Sequence, residues 1–294
     1  MSSFSSFFRK SFPYLLVLPA FAWVVLICFY PTAYTIWLSF QKGEYATIHG
    51  YAGLTNFIKL FTNSYFYKVL YNTVYLTFFS LSIRLLVGFC LALILASRSI
   101  KWRRVVLTLL LIPWAISGVV ISILIKWMFD PGFGLINYFL LSLGIITRPL
   151  SVLASQTSAM WTIILCQVWA SIPYIAIVFV ANIESIPPDQ YESATVDGAN
   201  FLQRMRHITL PWIKPAFQYL LVLQTIFLLR SFLFIYILTQ GGPAGGTEVL
   251  GTWLFRLLFQ TGDLGLASAL SVFMLCLNAV IALIYTSLIK VRIY

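Results

Sequence analysis

Charge is scarce in this chain. Only 9% of its 294 residues are Asp, Glu, Lys or Arg, against about 25% in a soluble domain. A mean hydropathy of +0.92 leaves too little polar surface to clothe a water-soluble globule of this size. Acidic residues number eight, and none falls inside a long apolar run. The chain has no G-x-x-x-x-G-K-[ST] phosphate loop, so it carries no ATPase motif of its own. It has no Ser-His-Asp, Cys-His or paired-carboxylate constellation, and His49 and His207 stand alone in loops without metal-ligand spacing. Cys28, Cys90, Cys166 and Cys276 lie singly within apolar runs, so they are expected as small buried hydrophobes. No repeat of fixed period is present. These absences exclude a soluble enzyme, a nucleic-acid binder and a secreted disulfide scaffold. They also argue against an intramembrane enzyme, and no catalytic or metal-ligating residue is expected.

What is present is apolar length. A bilayer is crossed by about 20 apolar residues in a helix, and six runs qualify: 12–40, 69–96, 105–126, 158–181, 216–239 and 264–289. Pro19, Pro31, Pro113 and Pro173 fall in or near them, which membrane helices tolerate when neighbours satisfy the freed carbonyls. Arg9 and Lys10 precede the first run, and Ala20-Phe21-Ala22 has the form of a cleavage site, but the apolar stretch continues to Phe40. An uncleaved anchor is expected. The reading is one all-α membrane domain, 1–294, with six transmembrane helices.

The net charge of +11 then becomes topological. With the N-terminus inside, eleven basic residues face the cytoplasm: Arg9, Lys10, Arg98, Lys101, Arg103, Arg104, Arg204, Arg206, Lys214, Lys290 and Arg292. Five face outward: Lys42, Lys59, Lys68, Arg148 and Arg256. The positive-inside rule therefore gives N-in, C-in. Arg84, Lys126 and Arg230 lie within spans and are not explained by orientation. Outside, 41–67 is expected as a short helix or elbow. The segment 130–157 opens with a turn at 130–134, followed by an amphipathic stretch, 135–143.

One inner loop is far longer than a bundle requires. Residues 182–215 include IESIPPDQYESATVDGANFLQRMRHITLP, which reads as two short helices around a tight corner. Ser185 is expected to cap the first, with Pro187, Pro188 and Asp189 suited to its early turn. Gly198 supplies the corner, Asn200 with Gln203 forms a capping pair, and Pro211 and Pro215 stop the second helix. Small residues at 193, 194 and 199 leave the knuckle thin enough for a groove on another protein.

The segment Glu192-Ser-Ala-x-x-x-Gly198, followed by Ile208-x-Leu210-Pro211, resembles the EAA loop of ABC importer permeases. The resemblance extends to Asn72-Thr73, Leu111-Ile112-Pro113-Trp114, Trp127-x-Phe129-Asp130-Pro131, Gly134-Leu135-Ile136-Asn137 and Thr239-Gln240-Gly241-Gly242-Pro243 with Thr247. It covers roughly 14–290 and points to the carbohydrate branch, the half similar to the larger permease of maltose-type importers. Ser193 departs from the family's first alanine but is nearly as small. The resemblance implies a type I ABC importer bundle whose coupling helix, with Glu192, Ser193, Ala194, Asp197 and Gly198, docks on a separate ATPase. It implies a second homologous permease, two ATP-binding subunits, an extracytoplasmic solute-binding protein, and ATP and Mg used only by the ATPase. Membrane lipid is the surrounding partner, and a bacterial or archaeal cytoplasmic membrane the location.

Solute contacts are expected on three helices. Gln167 and Ser171 share a face, with Trp169 close by; Gln224, Phe227 and Ser231 share another. Trp114 follows Pro113. Rings beside amides and hydroxyls suit a sugar, and the resemblance places solute contacts on these helices. Arg230, next to this face, raises the alternative of a non-neutral or non-sugar solute: an acidic sugar, glycerol phosphate or a polyamine.

Overall fold

A computed structural model of the chain describes residues 12, 14, 16–45, 47–96 and 102–288. Arg9, Lys10, Arg98, Lys101, Lys290 and Arg292, on which much of the charge bias rests, lie outside the described residues, as does the side chain of Arg104. Among the described residues, five helices are long and apolar enough to cross a membrane: Leu16–Leu38, Ser64–Ala96, Gln156–Glu184, Phe201–Leu238 and Leu264–Ser287. The sixth crossing is a broken pair, Val105–Ala115 and Gly118–Met128, bent by 88°.

The third span is therefore not the continuous helix that its hydropathy predicts. Ile116 and Ser117 take extended ψ angles of 134° and 135°, and the Ser117 hydroxyl then caps the second half by accepting from Val119 N–H. The fifth span departs in the opposite direction at its start. Pro211 and Pro215 do not stop the preceding helix; chain 201–229 runs on through both, with a π-helical turn at Met205–Thr209. A matching π turn, Val25–Phe29, precedes Pro31 at the same offset. A proline ring crowds the carbonyl four residues back and cannot bond to it, so widening the preceding turn relieves both problems. The fifth span then breaks at 230–232 before a last short helix, Leu233–Leu238.

The chain divides into two compact units. One holds residues up to 63 and 254–275. Here 41–67 is more than the expected elbow: an antiparallel hairpin, Gln41–Glu44 with Thr47–Tyr51, precedes a helix, Thr55–Thr62. Buried Asn56 donates to the carbonyls of Ser39 and Gln41 at 2.9 and 2.8 Å, fixing the hairpin's root. The other unit holds 64–253 and the chain from 276 onward. Its hub is Gln156–Glu184, which packs on Ser64–Ala96, Leu210–Leu229 and both halves of the broken third span. Gly88 permits a close approach to this hub, since a Cβ there would lie 2.5 Å from Ile175 Cγ2. The cysteines are free, but only Cys166 is buried; Cys28, Cys90 and Cys276 are exposed, contrary to expectation. Exposed Phe, Leu, Ile and Val cover the spans, as a lipid-facing surface requires.

Candidate functional site

The two helix breaks meet. At Gly118, where the third span resumes, a Cβ would lie 2.9 Å from Leu233 Cδ2 and 3.2 Å from the Phe234 ring. Behind the fifth-span break, a Cβ on Gly251 would lie 2.5 Å from the Ser231 carbonyl oxygen. Small residues on both sides thus hold irregular backbone within protein. Membrane proteins confine such backbone to protein interiors or cavities, and transporters use discontinuous helices at their solute sites.

A hydrogen-bonded chain beside this junction links the second, fourth and fifth spans. Arg84 is only 5% exposed. It donates from Nη1 to Gln224 Oε1 at 2.9 Å and from Nη2 to Gln167 Oε1 at 3.1 Å. Gln167 Nε2 donates onward to Ser231 Oγ at 2.8 Å, inside the fifth-span break. Arg84, which orientation leaves unexplained, is thus held by two neutral amides. Gln167 and Gln224, expected to face solute, are themselves 2% and 6% exposed. Ser171 is half-buried, and its hydroxyl donates to the Gln167 carbonyl one turn back at 2.7 Å.

The remaining expected contacts are open. Phe227, Trp114 and Trp169 are exposed, and so is Arg230, whose side chain makes no hydrogen bond or ion pair among the described residues. Trp114 stacks on Tyr174, centroids 6.0 Å apart, and the Tyr174 and Tyr219 hydroxyls lie 3.0 Å apart. Neither tyrosine was singled out from sequence. Tyr174 falls three residues after Ser171, which puts it on the Gln167–Ser171 face, so the helical spacing already contained that signal.

The inner loop forms its corner as expected. Helix Pro188–Val196 carries Asp189 in its first turn, Gly198 has φ +74°, and Asn200 and Gln203 make a reciprocal capping box at 2.9 and 2.8 Å. Pro187, not Ser185, precedes the first helix; Ser185 ends the fourth span and accepts from Trp212 Nε1 at 3.0 Å. Glu192, Ser193, Asp197 and Gly198 are exposed and Ala194 half-buried. Val196, Phe201 and Leu202 are also exposed around the corner. A cleft of about 520 Å³ lies behind the knuckle, lined in part by Tyr191, Glu192, Arg204 and the Arg103–Glu184 ion pair.

The other motifs prove to be staples. Asn72 Nδ2 donates to the carbonyls of Gly245 and Glu248, and Thr73 Oγ1 accepts from Leu250 N–H at 2.9 Å. The hydroxyls of Thr239 and Thr247 lie 2.7 Å apart, closing the Gly241–Gly242 loop. The amphipathic stretch 135–143 forms a helix, Leu135–Ser142, and its Asn137 donates to the carbonyls of Phe129, Asp130 and Leu150 while accepting from Leu150 N–H.

Comparison with known proteins agrees with this architecture. The chain is 32% identical over 280 residues to the trehalose/maltose transport system permease protein MalF of Thermococcus litoralis, covering 95% of this chain and 94% of that one. It is 31% identical to the sn-glycerol-3-phosphate transport system permease protein UgpA of Pectobacterium atrosepticum, covering 94% of each. The crystal structure of a bacterial alginate ABC transporter, in complex with an alginate pentasaccharide-bound periplasmic protein, contains a chain that superposes with a TM-score of 0.86. That chain is 27% identical, with 98% of this chain and 99% of that one covered. Residues 88–291 match the family described as binding-protein-dependent transport system inner membrane component. With its membrane-spanning helices, broken third span and exposed inner knuckle, the chain belongs to that family of multi-pass inner-membrane transport permeases.

Proposed function

We propose that the chain is the membrane-spanning subunit of an ATP-driven importer for a saccharide, coupled through 184–211 to separate ATPase subunits. The observation that carries this reading is the knuckle. It is a helix–corner–helix whose exposed face combines Val196, Phe201 and Leu202 with Glu192 and Asp197. A projecting apolar corner on the water side of a membrane domain fits a groove on a partner. A passive channel has no use for one. The relatives' names span trehalose and maltose, glycerol phosphate and alginate, which supports an oxygen-rich solute and leaves its charge open.

The remaining parts follow from that reading. An extracytoplasmic binding protein delivers solute to the outer loops, among them 41–67 and the Asn137-stapled 129–150. A second, homologous permease completes the path. ATP and Mg are used by two partner subunits, whose closure draws two knuckles together and rocks the bundles rigidly around the midplane. Trp114, Trp169, Ser171, Phe227, Arg230 and Ser231 contact solute near the breaks, while Gln167 and Gln224 reach it from the buried layer behind. An exposed Arg230 with no nearby acid disfavours a polyamine.

The test is uptake by the full complex in proteoliposomes with Glu192→Lys. The expected result is normal assembly, with saccharide uptake per ATP reduced at least tenfold. Saccharide flux through the wild-type chain without ATPase subunits would point to a channel and end the proposal.

A further inference from the structure

Arginine has five donors and no acceptor, whereas a glutamine amide has one end of each kind. Arg84 therefore dictates how its two glutamines point. Both Oε1 atoms are drawn inward to the guanidinium, at 2.9 and 3.1 Å, so both Nε2 groups are turned away from it. Gln167 Nε2 uses a proton on Ser231 Oγ at 2.8 Å. The half-buried Ser231 hydroxyl keeps its own proton to donate, with one of its oxygen's two lone pairs already taken. Gln224 Nε2 has no partner among the described residues. Next in the chain to Ser231 stands Arg230, its side chain exposed and unpaired among those residues, and the exposed Trp114 and Trp169 carry N–H groups that only donate. The Ser171 hydroxyl spends its proton on its own helix and leaves an oxygen lone pair, and the Tyr174 and Tyr219 hydroxyls are bonded to each other, so acceptors are present but few. No Asp or Glu lies within the described spanning helices near these breaks.

We infer that Arg84 is a positioning residue that sets the hydrogen-bond polarity of the solute site, making it rich in donors and positive charge and selective for a solute bearing anionic oxygen. The class is an oligosaccharide with carboxylate groups or a phosphorylated sugar. Neutral sugars offer hydroxyls that both donate and accept, and a donor-rich wall leaves many of their protons unmatched. Anionic oxygens accept from every group in the set, and charge-assisted bonds are the stronger ones. The inference rests on the saccharide-import reading above, and it adds the solute's charge and the residue that sets it.

The test uses the assembled complex in nanodiscs without its binding protein, so that the receptor's own preference does not intervene. Calorimetry measures Kd for a uronate trisaccharide, a neutral trisaccharide of equal length and a sugar phosphate. The wild type is expected to bind one of the two anionic probes at least tenfold more tightly than the neutral one; which anionic probe wins identifies the source of the charge. Gln224→Glu is the informative variant. It keeps the side chain's shape, gives Arg84 a carboxylate, and replaces an outward donor by an acceptor, so the preference should fall at least tenfold while the complex assembles. Arg84→Met frees both amides to turn and should bring the ratio towards one, whereas Arg84→Lys, still donor-only, should restore part of it. An unchanged ratio in assembled Gln224→Glu, or a wild type that favours the neutral trisaccharide, would overturn the inference. If the wild type binds none of the three, the saccharide reading itself fails.

Discussion

Replacing Gly198 separates the knuckle's backbone requirement from its docking requirement. The residue sits at φ +74°, and an L-residue there costs about 1–2 kcal/mol, less for Asn or Asp. No heavy atom lies within 4 Å of a Cβ built at this position, so no steric term within the chain adds to that cost. One to two kcal/mol shifts a local equilibrium by about 5- to 30-fold. Gly198→Val, β-branched and least tolerant of this φ, should depopulate the corner most, Gly198→Ala less and Gly198→Asn least. The bundle should assemble in every case, because the corner is solvated and its neighbours stay capped by the Asn200–Gln203 box. The assay is ATP hydrolysis and solute uptake by the reconstituted complex in response to loaded binding protein. If strain governs, coupling ranks Asn above Ala; if the partner's groove is tight at this point, the smaller Ala ranks above Asn. Gly198→Asp against Gly198→Asn then isolates charge at equal shape. Wild-type stoichiometry in Gly198→Val would refute the knuckle as a coupling element.

Two further perturbations test the scaffold that presents these sites. Gly88→Ala drives a methyl to 2.5 Å from Ile175 Cγ2, which should cost about 1–3 kcal/mol by overpacking. Thermal unfolding in detergent should show this loss, and Ile175→Ala should relieve part of it in a double-mutant cycle; strict additivity would mean that the two helices do not meet there. Asn137→Asp places an anion against three carbonyls that now accept its amide protons, so it should loosen 129–150 more than Asn137→Ala. Hydrogen exchange averaged over the other amides of 129–149 reads the loosening, because the Leu150 amide, now bonded to Asn137 Oδ1 at 2.8 Å, would keep an acceptor in the aspartate variant alone; wild-type protection in both variants would remove the staple from the account.

The legible parts of this chain were those governed by local rules. Apolar length located the spans, and Asn200, Gln203 and Gly198 announced the corner through capping and left-handed backbone. The breaks were not legible, because hydropathy averages over them. Ile116 and Ser117 are as compatible with a continuous helix as their neighbours, and the kink depends on Gly118 meeting Leu233 and Phe234 from more than a hundred residues away. Pro211 and Pro215 misled for a related reason. A proline forbids one hydrogen bond, but a π turn and a membrane's demand for internal bonding keep the helix intact. Motif residues such as Asn72 and Asn137 were recognisable by pattern, yet their work as cross-chain staples appears only when Gly245, Glu248 and Leu150 are brought alongside.

Arg84 shows why the missing acids matter. A glutamate at 167 or 224 would bond to Arg84 more strongly than an amide does. Such a buried pair, however, recovers little beyond its own desolvation, and it would present a spare carboxylate oxygen to the break. An amide gives up some of that attraction and instead keeps opposite polarity at its two ends: oxygen to the cation, protons to the site. The scarcity of acidic residues in the spans is then more than a consequence of hydropathy. At these two positions it favours the end of a hydrogen bond that an anionic solute supplies, and an acid introduced there should leave the bundle's stability little changed while weakening its hold on anionic cargo.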